Sequence, residues 1–333
     1  MSQQIDFLAI GDIVTDAFIL LKEAKVNCDA NGENCMLSMR FGDKLPYDSV
    51  EVVRAVGNSP NAAVSASRLG LASALVSNMG DDQNGKECLE VLVNDKIITD
   101  YVKSHPGMET NYHYVLRFGP ERTILVKHHE YPYEFPDVKP APKWIYLSSL
   151  AESTLPYHNQ IADYIEKNPE VKLAFQPGTF QMKFGTEALA RIYKRTDIFF
   201  CNKEEAQRIL KTEETDIKKL LTMMHTLGPK LVVITDGPKG AYVYDPVEQK
   251  TWHIGMYPDP NPPVSRTGAG DAFSSTFTSA ILLGKSIPEA LAWGPINSMA
   301  VVQQIGAQKG LLTREKLEEY LKKAPADYTA KEI

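Results

Sequence analysis

Short apolar runs alternate with helix-length stretches along most of the chain, and this alternation limits the fold more than any other feature. The runs are FLAIGDI (7–13), ASALVSNMG (72–80), KWIYLSSL (143–150), VKLAFQPG (171–178), DIFFCN (197–202) and KLVVITDG (230–237). Most end in polar, Gly or Pro residues, as strands do where they meet a turn. Between them lie SPNAAVSASRLG (59–70), QNGKECLEVLVNDK (83–96), YHNQIADYIEKN (157–168) and TDIKKLLTMMHTLG (215–228). Strand followed by helix, repeated, predicts an α/β fold: a mostly parallel sheet covered on both faces, hence a three-layer α/β/α core.

Two stretches break the rhythm. Residues 14–56 hold no convincing helix and alternate like antiparallel strands around Gly42 and Pro46, and residues 110–128 read as a hairpin with GPER at its tip. Both leave the core and return to it, which predicts a small β-sheet lid built from 14–56 and 110–128 on a core of 1–13, 57–109 and 129–333. The tail KKAPADYTAKEI is polar and expected to fray.

At 333 residues, 43% hydrophobic and 23% charged, the chain can bury one large core with a smaller appended unit. A formal net charge of −6 supplies no basic excess to neutralise a nucleic-acid backbone, so no nucleic-acid partner is expected. The opening MSQQIDFLAIGDI reads as a first buried strand and not as a signal peptide, and no stretch reaches the length of a membrane span. Cys28, Cys35, Cys88 and Cys201 are too few and scattered for a disulfide framework, so Cys28 and Cys35 are expected to be plain thiols in a reducing cytoplasm. His128 and His129 read as a surface pair, and Met223, Met224, Tyr112 and Tyr114 as packing.

The stretch RTGAGDAFSSTF (266–277) carries the chemistry. Gly268, Ala269 and Gly270 before a helix leave backbone N–H groups unobstructed, and the helix dipole adds partial positive charge there. That suits an anion. A carboxylate beside an anion site needs a purpose, and Asp271 has one if it accepts a proton from a hydroxyl attacking a phosphate.

Ending in Gly-Ala-Gly-Asp, this motif resembles the second signature of the ribokinase-like, or PfkB, carbohydrate kinases, and the resemblance extends over nearly the whole chain. VGNSPNAAVSASRLGLASALVSNMGDDQNGK (56–86) resembles the first signature, and GDIVTD (11–16) the first strand with its substrate-binding aspartate, which falls on Asp16. FFCNKEEA (199–206) has the family's Asn-x-x-Glu spacing at Asn202 and Glu205, and VVITDGPKGA (232–241) resembles the nucleotide loop with Thr235, Gly237 and Gly240. INSMAVVQQIGA (296–307) resembles the helix beside the adenine pocket, with Asn297.

The resemblance implies a ribokinase-like fold and ATP-dependent phosphorylation of a hydroxyl on a sugar or sugar-like substrate. Asp271 would be the base, Gly268, Ala269 and Gly270 the anion hole, and Asp16, Gly57, Asn58 and Asn61 the substrate grip. Asn202, Glu205, Thr235, Gly237, Gly240 and Asn297 would serve ATP and Mg²⁺, with Glu205 reaching the metal through water. Small sheets seldom stand alone, so the lid's exposed face is expected to pair with another subunit in a homodimer. Within the same fold the alternative is a nucleoside kinase, its base ring stacked on Tyr112 or Tyr114; outside it, a non-catalytic ligand sensor. A nicotinamide dehydrogenase needs Gly-x-Gly-x-x-Gly after an early strand, which GDIVTD lacks. Three departures stand out: Val56-Gly57 where the family commonly has Gly-Gly, FQPGTFQ (175–181) where many members carry a strand-end Asp or Asn, and Ser265 where an aspartate often helps hold a monovalent cation. No potassium site is therefore expected.

Overall fold

The structure is a computed structural model that describes residues 3–29, 35–119 and 121–333. One sheet dominates it. Its strands are ordered Lys331–Glu332, Lys250–Ile254, Ala241–Asp245, Leu231–Thr235, Ile198–Asn202, Lys172–Phe175, Trp144–Leu147, Phe7–Ile10, Ser73–Gly80 and Val102–His105. From Leu231–Thr235 onward all neighbours are parallel, and the strands on the other side of it run antiparallel.

Phe7–Ile10 shows why the strands read as unbroken apolar runs. Its side chains alternate between faces, and both faces are covered. Phe7 and Ala9 pack with Ala62, Phe273, Phe277 and Trp293; Leu8 and Ile10 pack with Ile161, Leu173 and Leu220 on the other side. The first group rides on helices Asn58–Arg68, Ala269–Leu282 and Ile287–Val302, and Ile161 and Leu220 on Leu155–Lys167 and Ile217–His225. Complete burial of a residue such as Phe7 or Phe277 contributes about 1.5–3 kcal/mol of transfer free energy.

The strand order also places the site. From Phe7–Ile10 the chain first builds outward to Ser73–Gly80 and Val102–His105, then returns to Trp144–Leu147 on the opposite flank. Connections diverge at this reversal, which opens a crevice beyond the carboxyl ends of the two strands. Gly11 and Asp12 follow one strand, Ser148 and Ser149 the other. Helix Asn58–Arg68 starts there too: Ser59 Oγ donates to Ile10 O at 2.6 Å and lies 2.5 Å from Ser148 Oγ.

The stretches that break the alternation supply a second sheet, ordered Tyr47–Val56, Val14–Leu21, Tyr112–Phe118 and Glu121–Leu125. Val14–Leu21 runs parallel to Tyr112–Phe118 and antiparallel to Tyr47–Val56. Exposed apolar side chains gather on this part of the molecule, including Tyr47, Val50, Tyr114 and Leu125, and on the nearby segment holding Phe41. Pro120, in the GPER tip, lies outside the described residues.

Cys28 and Cys35 are joined by a disulfide, contrary to the expectation of plain thiols. Lys25–Asn27 and Met36–Ser38 form a two-stranded ladder in which Asn27 pairs with Met36, and the next residues of that register are Cys28 and Cys35, with Cα atoms 4.0 Å apart. The intervening residues 30–34 lie outside the described ones. Spacing alone hid this contact, and its presence removes the thiol-based argument for a reducing compartment. Among the described residues no helix is long and apolar enough to cross a membrane.

Candidate active site

Helix Ala269–Leu282 begins at Gly268, whose φ of 82° is left-handed. A Cβ at that position would fall 2.3 Å from Ala307 Cβ, so only glycine lets the chain turn into the helix here. Gly270 is exposed and Asp271, one residue later in the first turn, is buried. The backbone donors of a helix start and a sequestered carboxylate therefore sit side by side.

Three amides hold that carboxylate. Asn58 Nδ2 donates to Oδ1 at 2.7 Å, Gln176 Nε2 to the same atom at 3.1 Å, and Asn61 Nδ2 to Oδ2 at 2.9 Å. Two of these amides are themselves oriented. Gln308 Nε2 donates to Asn61 Oδ1 at 3.1 Å and to Ala55 O at 2.7 Å, which turns the Asn61 amino group toward Asp271. The buried Tyr146 hydroxyl donates to Gln176 Oε1 and so points the Gln176 amino group the same way. Asn58 and Asn61, expected to grip substrate, thus first position Asp271. Gln176 and Gln308 were not foreseen; the only signal was the unexplained FQPGTFQ stretch after Lys172–Phe175.

A cleft of about 380 Å³ opens on the solvent side of this helix start. Thr235, Gly237 and Gly240 line it, as expected from the loop after Leu231–Thr235, together with Ala269, Gly270, Phe273 and Arg266. Asn297 does not. It is fully buried, donating to Thr276 Oγ1 at 2.8 Å and accepting from Leu312 N at 2.9 Å, so it ties two helices and a loop together. Its neighbour Ser298 lines the cleft instead and donates to Ala269 O at 2.7 Å.

Asn202 and Glu205 form a reciprocal cap on helix Lys203–Leu210: Asn202 Oδ1 accepts from Glu205 N at 2.8 Å, and Glu205 Oε2 accepts from Asn202 N at 2.9 Å. The cap fixes the Glu205 carboxylate in space. Burial, with the nearby Asp271 charge, pushes its pKa above the ordinary carboxylate value, against the lowering effects of the Asn202 N–H and Arg208.

On the other flank, Gly57 has φ of 122° and a Cβ there would lie 2.5 Å from Asp12 O, so the start of helix Asn58–Arg68 is pressed against Asp12. Asp16 lies on Val14–Leu21 with its Oδ1 3.5 Å from His113 Nδ1. Asp12 is buried; Tyr133 donates to its Oδ1 at 2.8 Å, and His128 Nδ1 is 3.6 Å from its Oδ2. Burial pushes the Asp12 carboxyl up to about 7, and burial likewise pushes the His128 ring down to about 4. His128 and His129 are not a surface pair. His128 turns inward to Asp12, edge-on to His113 with ring centres 5.2 Å apart, while His129 approaches Glu109. The Asn111 side chain causes the divergence: His129 N donates to Asn111 Oδ1 at 2.7 Å, and Asn111 Nδ2 to Ile13 O at 3.1 Å, clamping this segment onto the first strand's exit.

The family model for pfkB family carbohydrate kinases matches residues 27–314. An ATP-dependent 6-phosphofructokinase of Thermoanaerobacterium thermosaccharolyticum is 29% identical over 287 residues, 82% of this chain and 86% of that protein. A nucleoside kinase of Methanothermobacter thermautotrophicus is 25% identical over 316 residues, covering 93% and 94%. Among solved structures, the Arabidopsis thaliana ribokinase complexed with ribose and ATP superposes with a TM-score of 0.79 at 21% identity, over 96% of this chain and 99% of that one.

Proposed function

The chain belongs to the pfkB family of carbohydrate kinases and is a phosphotransferase with a hydroxyl acceptor, and on that premise we propose that it transfers the γ-phosphoryl group of ATP to a hydroxyl of a sugar or nucleoside. One observation carries the site assignment: Gly270 lines the cleft and adjoins Asp271, so a phosphate at the helix start would lie beside a buried base. Asp271 takes the proton of the attacking hydroxyl. Its Oδ1 already accepts two hydrogen bonds and its Oδ2 one, which leaves Oδ2 a lone pair for that proton. The hydroxyl oxygen bonds to phosphorus as the bond to the leaving ADP oxygen breaks. N–H groups around Gly268–Gly270 stabilise the charge that develops.

Nucleotide occupies the cleft, with Thr235, Gly237 and Gly240 along its wall. Burial, with the Asp271 charge nearby, makes an ionised Glu205 costly in the absence of a cation, and a hydrated Mg²⁺ held by Glu205 through water would offset that cost. The metal would neutralise the nucleotide phosphates. Asp16 and His113 face the acceptor. A nucleoside is the second reading, kept because a nucleoside kinase is among the relatives; the Tyr112–Tyr114 pair expected to stack its base alternates with His113 and so lies on the opposite face of the sheet from Asp16 and His113. A panel of ribose, fructose, 2-keto-3-deoxygluconate and adenosine with ATP decides between them; turnover of none would sink the proposal.

Residues 14–56 and 110–128 act as a lid that excludes water over the core of 1–13, 57–109 and 129–333. The exposed Tyr47, Val50 and Leu125 support pairing of two lids in a homodimer. Sedimentation showing only monomer at micromolar concentration would refute the dimer.

A further inference from the structure

Three buried polar atoms without a hydrogen-bond partner among the described residues gather in one place: Asp12 Oδ2, His128 Nδ1 and His113 Nε2. An unpaired buried polar group costs about 1–3 kcal/mol, so this grouping burdens the fold. Asp12 is only 4% exposed. Its Oδ2 and His128 Nδ1 are 3.6 Å apart, too far for a direct hydrogen bond. A hydroxyl oxygen between them reaches both, donating to the carboxylate and accepting from the ring N–H. His113 continues the row, edge-on to His128 and with Nδ1 toward Asp16. Phe180 closes one side, its ring centre 6.0 Å from that of His128, and offers an apolar face to C–H groups.

The row joins the base through one helix start. Asp12's carbonyl abuts Gly57, and the two amides that follow on the same helix, Asn58 and Asn61, hold Asp271. The row also lacks cations. Among the described residues neither Asp12 nor Asp16 is ion-paired with a lysine or arginine; Arg54, next to Asp16's ladder partner Val53, is engaged by Glu87. Lys183 is exposed, over the Phe180 ring. A phosphate or carboxylate entering here would meet two aspartates.

We propose that Asp12, His128, His113 and Asp16 form the specificity wall of the acceptor site and select an uncharged polyhydroxylated substrate, with Asp12 and His128 gripping one hydroxyl from two sides. This rests on the reading that the chain phosphorylates a sugar or nucleoside hydroxyl. Asp12 and His128 recognise substrate and take no part in proton transfer, so they govern KM and leave kcat alone.

The test measures kcat/KM at pH 7.5 and saturating ATP for ribose, fructose and adenosine against fructose 6-phosphate and 2-keto-3-deoxygluconate. The best neutral compound should exceed both anions by about a hundredfold or more. Asp12→Asn and His128→Phe should raise its KM about tenfold or more with kcat within about threefold, while His128→Asn, which keeps a donor near Nδ1, should recover part of the loss. Calorimetry with a non-hydrolysable ATP analogue confirms that each variant is folded. An anionic substrate equal to or better than the neutral ones, or variant KM values within twofold of the parent, overturns the proposal while leaving the kinase reading intact. If no compound of either charge is phosphorylated, the kinase reading fails and the proposal falls with it.

Discussion

Asp271 and Asp12 sit on opposite flanks of one helix start, and the fold treats them in opposite ways. Asp271 receives three amide donors, two of them oriented in turn by Tyr146 and Gln308. Asp12 keeps the Tyr133 hydroxyl and the Ala151 backbone N–H as lowering influences but an unpaired Oδ2, and burial outweighs them to push its pKa up to about 7. The difference separates two kinds of functional carboxylate. One is organised before substrate arrives, so that no reorganisation is needed when charge moves. The other is left incomplete, and what completes it comes from outside the protein.

The largest break in this comparison should come from Asp271→Asn. The variant keeps shape at the helix start but cannot take the hydroxyl's proton. General-base contributions of about 100- to 10,000-fold mean that kcat should fall at least a hundredfold. Affinity for a non-hydrolysable nucleotide should move less than about threefold, since the backbone of the helix start is untouched. One new strain enters: the amino group of the substituted side chain faces other amino groups. Asn61 is locked by Gln308 and Gln176 by Tyr146, so either placement of the new amino group leaves it facing one locked amino group, and only Asn58 is free to flip. A coupled assay beside calorimetry reads both halves, and a variant within tenfold of the parent would reduce Asp271 to a helix-start residue.

Asp12→Asn should do the reverse to stability. A carboxyl whose folded pKa lies near 7, above its unfolded value near 4, favours folding fully only below pH 4, and that favour is lost as pH rises through 7. At pH 8 the ionised, buried Asp12 therefore opposes folding. The ceiling is about 4 kcal/mol at 1.36 per pH unit, and imperfect pairing of the new amide should reduce the gain to roughly 2 kcal/mol. His113, His128, Tyr131, Tyr133 and Tyr157 face this carboxyl, and burial holds the three tyrosines in their neutral form across this pH range. Denaturant unfolding at pH 8 and pH 4 checks the sign: the gain should be present at the first and nearly absent at the second. A loss of stability at pH 8 would show that Asp12 is satisfied in solution.

Gln176→Leu probes the organised side more gently. It removes one hydrogen bond to a carboxylate and leaves the buried Tyr146 hydroxyl without that acceptor. A bond to a charged group is worth about 1.5–3 kcal/mol, part of which Asn58 and Asn61 retain by holding the same carboxylate, so kcat should fall about tenfold with nucleotide KM unchanged. An unchanged kcat would mean that two amides suffice.

Which parts of this site were legible in the sequence follows from how far apart the partners lie. Gly268 to Asp271 form one contiguous motif whose physics is local, and the alternation of apolar runs conveyed the parallel layers for the same reason. Gln176 acts on a residue 95 positions away and Gln308 on one 247 away, and no periodicity connects them. Asn58 and Asn61 were recognisable as polar residues at a functional helix, yet their bonds to Asp271 were not, because a chain of amides can serve a ligand or a base equally well. Asn297 and Ser298 show the limit within a single helix: adjacent residues point about 100° apart, so one faces the core and the other the cleft. The antiparallel strands Ala241–Asp245 and Lys250–Ile254 escaped for another reason. They lie toward the antiparallel end of the sheet, burial alternating along Ala241–Asp245 and confined to Ile254 in Lys250–Ile254, and carry none of the continuous burial that marked the inner strands.

The smallest effect expected is that of potassium. Where the family commonly has an aspartate, three residues before the Gly-Ala-Gly-Asp motif, this chain has Ser265, whose hydroxyl donates to Thr267 Oγ1 at 3.1 Å and closes the turn without a carboxylate. Asp259 is the carboxylate lining this side of the cleft; burial raises its pKa, and Arg266 acts in the opposite direction. The exposed Arg266 guanidinium on the cleft wall thus supplies positive charge that a monovalent cation would otherwise bring. Replacing potassium by a large organic cation at constant ionic strength should change kcat by less than about threefold. Arg266→Ala should lower kcat and make the residual activity respond to potassium, because Asp259 would then lack its counter-charge. A tenfold or greater fall in the parent enzyme on potassium removal would show that a cation is organised here by groups other than an aspartate at 265, and the cleft, like the wall around Asp12, would then be completed from outside.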